Sequence, residues 1–129
     1  MPTRIPVSAI NYGEAEIAEV LDSLRSGQVT MGRKVAAFER LWADYLGVRH
    51  VVMVNSGSSA NLLALTALGI GPGDEVITPA LTWATTVFPI TQVGATPVLV
   101  DVDRETYNID TVEVQDAITS RTKAIMPVH

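Results

Sequence analysis

The sequence predicts an α/β fold: a parallel sheet of βαβ units carrying helices on both faces. Three observations predict it. Of the 129 residues, 47% are hydrophobic and only 18% charged, which is enough apolar side chain for one real core and too little chain for two. Between Arg49 and Asp101 the only fully charged side chains are Asp74 and Glu75. Strands covered on both faces read as continuous apolar runs of this kind. Within that stretch, short β-type and α-type patterns alternate, which is the order of a parallel sheet with crossover helices.

Each element follows from local chemistry. Asn11-Tyr12-Gly13-Glu14 resembles a capping box, and Ile17, Val20, Leu21 and Leu24 continue at helical spacing to a stop at Gly27. A polar link from Gln28 to Gly32 leads to a second helix, where Val35, Phe38, Leu41, Trp42 and Tyr45 form an apolar stripe that ends at Gly47. Both helices read as packing elements. Val51-Val52-Met53-Val54 reads as a short buried strand, followed by the turn Asn55 to Asn61 and an apolar helix from Leu62 to Leu68. Gly71-Pro72-Gly73-Asp74 turns the chain into a second strand, Glu75 to Thr78. Thr82 to Val93 is a helix that Pro89 distorts or ends. Pro97 to Val102 is a third strand, Asp110 to Glu113 opens another helix, and Lys123 to Val128 is a fourth strand. A strand with no covering helix after it reads as the front part of something larger.

Composition removes several function classes. The formal net charge of −5 supplies no positive field for nucleic acid or an anionic membrane. With no cysteine, disulfides, thiolate metal sites and a cysteine nucleophile are excluded. No metal site is expected, because His50 and His129 are the only histidines. Met1 to Ser8 carries Arg4 but no apolar h-region, and Pro79, Pro89 and Pro97 interrupt the long apolar stretch. A cytoplasmic protein is expected, without a leader or a membrane span.

Two loops carry the chemistry. Asn55 to Asn61 lies after a strand and opens a helix, where unpaired N–H groups and the helix dipole favour an anion. Gly57 permits close backbone approach, and Ser56, Ser58 and Ser59 add hydroxyl donors. An ordinary serine-capped turn has the same spacing, and the two readings stay open on spacing alone. Gly69-Ile70-Gly71 is no phosphate loop, because it follows a helix and enters a strand through Pro72. The second loop, Thr78 to Trp83, also leaves the carboxyl end of a strand. Its Trp83 either lays its ring on a flat heterocycle or packs beneath the next helix. Together the loops suggest a planar, phosphorylated ligand. Asp101 and Asp103 read as a solvated strand exit, and His50 as structural.

Val54-Asn55-Ser56-Gly57-Ser58-Ser59-Ala60-Asn61-Leu62, Gly73 to Pro79 and Ala95 to Asp103 occur in an order that resembles the DegT/StrS-type sugar aminotransferases. Ser26 to Gly32 and Met126 to His129 fit the same family, so the resemblance covers essentially the whole chain. It implies the N-terminal part of a fold-type I, aspartate aminotransferase-like large domain. Residues 1–47 would form a helical arm and 48–129 the βαβ core. It further implies pyridoxal 5′-phosphate (PLP) as cofactor, a nucleotide-linked keto sugar as acceptor, glutamate as amino donor, and a homodimer. Carried over by position, Gly57, Ser58 and Ser59 hold the PLP phosphate and Trp83 stacks on its ring.

Two departures stand out. Phe88 occupies a place where many relatives have asparagine. The family's Schiff-base lysine and the carboxylate facing the pyridine nitrogen come after the point where this chain ends, and neither Lys34 nor Lys123 is placed to replace the lysine. The 129 residues alone are therefore expected to be inactive. A sugar 3-dehydratase of the same family is the rival reading, because Thr85 to Ile90 is similar to that branch. An inactive binding module is another.

Overall fold

A computed structural model describes residues 11–128. The readings for Met1 to Ser8 and for His129 lie outside the described residues. The chain divides into two compact units, one ending at Met53 and the other beginning at Val54. That boundary falls later than the break after Gly47 in the sequence reading.

The first unit holds α1 (Glu14–Ser26) and α2 (Arg33–Leu46). The start of α1 differs from the expected box by two residues. Gly13 is the N-cap, and the Glu16 carboxylate accepts its N–H at 2.6 Å. Gly27 and Gly47 end the helices at φ 71° and 68°, a left-handed geometry that costs glycine least. On α2, the Trp42 ring stacks between Phe38 and Tyr45, at centroid distances of 5.9 and 5.3 Å. These rings are nonetheless exposed, as is Leu41, so the stripe is not the buried packing face that its spacing suggested. Val51 to Val54 is likewise not a strand. It has no ladder partner among the described residues, and Val52 and Met53 are exposed. An extended apolar run becomes a strand only when a neighbour takes up its N–H and C=O groups.

The second unit follows the expected βαβ order: α3 (Gly57–Ala67), β1 (Glu75–Pro79), α4 (Ala84–Gln92), β2 (Thr96–Val100), α5 (Thr111–Ala117) and β3 (Thr122–Ile125). The three strands form one parallel sheet in the order β2-β1-β3. Central β1 is buried along its whole length, which is why it reads as apolar without alternation. Its side chains still alternate in direction. Val76 joins Leu65 of α3 and Ile90 of α4 in one core cluster, and Ile77 joins Val100 and Val114 of α5 in another. Helices therefore cover both faces of the sheet.

Local details explain where elements begin. Asp110 caps α5 as expected, its carboxylate accepting the N–H groups of Val112 and Glu113. The turn before α3 is itself helical, so that helix begins at Gly57 rather than Leu62. Pro89 lies inside α4, which continues past it to Gln92. Gly94 has φ 81°, and a Cβ there would stand 3.0 Å from the Pro72 ring. No described helix is long and apolar enough to cross a membrane.

Candidate functional site

The N-terminus of α3 is built by three polar side chains around a glycine. Ser56 is the N-cap, and its Oγ accepts the Ser59 N–H at 3.2 Å. The Ser59 hydroxyl donates to Asn55 Oδ1 at 2.6 Å and lies 3.2 Å from Ser56 Oγ. Asn55, Ser56 and Ser59 thus close a small polar ring at the helix start. That ring uses one of the amides the sequence reading offered to an anion, that of Ser59. The N–H groups of Gly57 and Ser58 have no acceptor among the described residues, and neither does the Ser58 hydroxyl. Gly57 has open space where a Cβ would be, and Gly57 and Ser58 are both exposed.

Trp83 is the N-cap of α4 and is 77% exposed, so it is not packed beneath a helix. The loop that carries it leaves the carboxyl end of β1, where Ala80 N–H donates to Val100 O at 2.8 Å. Thr82 Oγ1 and Thr86 Oγ1 lie 2.8 Å apart and fasten the loop to the first helical turn. Asn61, one turn into α3, donates from Nδ2 to Thr85 O at 3.2 Å. The second turn of α3 and the first turn of α4 are therefore joined directly. Sequence reasoning singled out the glycine and serines here but missed Asn55 and Asn61 as structural partners. The signal for Asn55 was available: an asparagine four residues before a serine at a helix start is within reach of its hydroxyl.

The remaining candidates have ordinary surroundings. Lys34 Nζ contacts Glu19 Oε2 at 2.5 Å and Asp22 Oδ2 at 2.9 Å, and these carboxylates hold its pKa above the usual lysine value. A lysine kept protonated is a poor nucleophile. Lys123 is exposed on β3, and His50 is exposed. Asp103 Oδ1 accepts from the Thr106 N–H, the Thr106 hydroxyl and the Glu105 N–H, which together lower its pKa. That carboxylate builds a turn. Phe88 is exposed on α4.

Residues 11–129 match the sequence profile of the DegT/DnrJ/EryC1/StrS aminotransferase family. The chain belongs to this family. It is 50% identical over 125 residues to the spore coat polysaccharide biosynthesis protein SpsC of Bacillus subtilis, covering 97% of this chain and 32% of that one. Among solved structures it is similar to Spr1654 of Streptococcus pneumoniae, assigned as a sugar aminotransferase and determined in its PMP form. The TM-score is 0.89 at 45% identity, over 97% of this chain and 32% of Spr1654. It is also similar to the E. coli GDP-4-keto-6-deoxy-D-mannose-3-dehydratase with bound hydrated PLP, with a TM-score of 0.88 at 37% identity. There the match covers 96% of this chain and 33% of the dehydratase. The chain thus spans about a third of the length of the DegT-type proteins it matches.

Proposed function

We propose that this chain contributes the phosphate turn and the ring-facing tryptophan of a PLP-dependent aminotransferase acting on a nucleotide-linked keto sugar. The observation that carries the reading is the α3 N-terminus, where the free amides of Gly57 and Ser58 and the Ser58 hydroxyl stand together without a basic side chain. Such a donor set fits a phosphate ester, which the helix dipole also favours. Ser59 joins it by turning its hydroxyl from Asn55 to the phosphate. Trp83 is free to face the pyridine ring because its own side chain is not committed to the core. When bound, PLP supplies the electron sink through which an amino group leaves its donor and reaches a carbonyl. Glutamate is the donor in this reading. The protein works as a cytoplasmic homodimer, with the present residues forming the N-terminal part of its cofactor-binding domain. The covalent anchor comes from the part of the relatives' length that this chain does not match.

A 3-dehydratase is the second reading, favoured by the similarity to the E. coli enzyme. Both readings need the same cofactor grip. Titration of the chain with PLP, followed by borohydride reduction and peptide mapping, tests that grip. The expected result is saturable binding relieved by inorganic phosphate, with no stoichiometric adduct on Lys34 or Lys123. A single site-specific adduct on either lysine, accompanied by transamination, would overturn the division of labour proposed here.

A further inference from the structure

Pro89 stands four residues after Thr85 inside α4. In an α-helix the carbonyl of one residue accepts the N–H of the residue four places on. Proline has no N–H, so the Thr85 carbonyl loses its helical donor. A part-buried carbonyl without a partner is costly, and here one is supplied from another helix: Asn61 Nδ2 of α3 donates to Thr85 O at 3.2 Å. Among the described residues this is the one side-chain hydrogen bond joining α3 to α4.

Its location gives it a consequence. Asn61 follows Gly57 by four residues and so lies on the same side of α3 as the start of the phosphate turn. Thr85 follows Trp83 by two residues, in the first turn of α4. We infer that Asn61 is a positioning residue, which uses the carbonyl freed by Pro89 to fix the Trp83-bearing turn against the Ser58-bearing turn. The inference rests on the cofactor site proposed above, and it makes the spacing between phosphate grip and ring face a property of the Asn61–Thr85–Pro89 set. An ordinary α4, with its ladder complete, would need no such tie. The proline and the asparagine are therefore one device.

The test is a rescue. In a Trp42→Phe background, Trp83 is the sole tryptophan. Without cofactor, amide exchange at Val87 and Phe88, the first α4 amides with helical acceptors, is compared among the parent, Asn61→Ala, and Asn61→Ala with Pro89→Ala. The single variant is expected to lose protection about 3- to 10-fold, the range for one hydrogen bond. The double variant regains it, because an alanine in place of the proline returns the missing helical N–H to the Thr85 carbonyl. With PLP at saturation, quenching of Trp83 emission should fall in the single variant and return in the double. Competition by inorganic phosphate should stay unchanged in all three.

Asn61→Asp, which keeps the size but cannot donate when ionised, replaces the alanine variant if that chain fails to fold by circular dichroism. Unchanged protection in the single variant, or lost protection that Pro89→Ala does not restore in a folded chain, overturns the inference. Absence of any PLP quenching in the parent would instead overturn the cofactor-site reading, leaving the exchange arm to decide the tie.

Discussion

At the scale of single residues, the serines before and within α3 divide their work. Ser56 is the cap, and its loss should cost about 1 kcal/mol of stability, as N-cap deletions do. Ser58 caps nothing, so Ser58→Ala should leave the melting temperature almost unchanged while weakening PLP binding about tenfold. Thermal melts and PLP titrations on the two variants check this, and the opposite pattern would make Ser58 a structural serine. Asp103 offers a second residue-level test. Its turn carries Tyr107 at φ 59°, a conformation unfavourable for a bulky side chain, and the Tyr107 N–H donates to Asp103 O at 2.9 Å. The donors from Thr106 and Glu105 lower the Asp103 pKa in the folded chain. A depressed carboxylate stabilises the fold above its unfolded pKa, and that contribution is lost as pH falls through the folded value. The melting-temperature gap between the parent and Asp103→Ala should therefore be widest near neutral pH and shrink in acid below the ordinary aspartate range. A gap independent of pH would show that the carboxylate's charge is not what holds the turn.

At the scale of elements, the register of β3 on β1 depends on a charged residue. Glu75 is 4% exposed, yet it opens the central strand. Arg121 pairs with its Oε1, and Thr119 donates to its Oε2 at 2.5 Å. Both partners lie just before β3, at the point where the pairing skips from Glu75–Thr122 to Val76–Ala124. Arg121→Ala leaves the buried carboxylate one partner short and should cost about 2 kcal/mol, less than a fully buried pair because the guanidinium is mostly solvated. Adding Glu75→Gln to that variant should recover part of the loss, since a neutral amide is cheaper to bury. Denaturant melts of the two variants decide it, and a double variant weaker than the single would contradict the account. Glu75 was visible in the sequence only as one of two charges in an apolar stretch. Its partners, 44 and 46 positions further on, had no local signal. The helices and strands of the second unit were legible because periodicity, Gly stops and caps such as Asp110 are local. The strand expected at Val51 to Val54 was not, because pairing is a property of a neighbour rather than of the run itself. The candidate site divides in the same way. Its glycine and serines announced themselves as a helix start, whereas the Asn61 contact to Thr85 spans 24 residues and leaves no local pattern.

At the scale of the whole molecule, much apolar surface is left in contact with water. Leu41, Tyr45 and Val52 are exposed in the first unit, and Leu68, Leu99 and Ile125 in the second. Scattered exposed apolar residues are normal, but here they include most of an amphipathic stripe on α2 and the outward side chains of both edge strands. Each large side chain left in water forgoes about 1.5–3 kcal/mol of burial, so covering several of them would add an amount comparable to the net stability typical of a small domain. An edge strand adds unpaired N–H and C=O groups, which recruit other strands when nothing covers them. Net charge opposes association, but a formal −5 spread over 129 residues is a weak deterrent at physiological salt. The 129 residues in isolation should therefore self-associate, the more so as concentration rises, so the melts of single variants belong at the dilute end of the series. Sedimentation and calorimetry across a concentration series measure this directly. A monodisperse monomer with one sharp, high-temperature transition would mean that the two small cores around Val76 and Ile77 suffice alone. The exposed stripe on α2 would then be free surface rather than an unmet demand for burial.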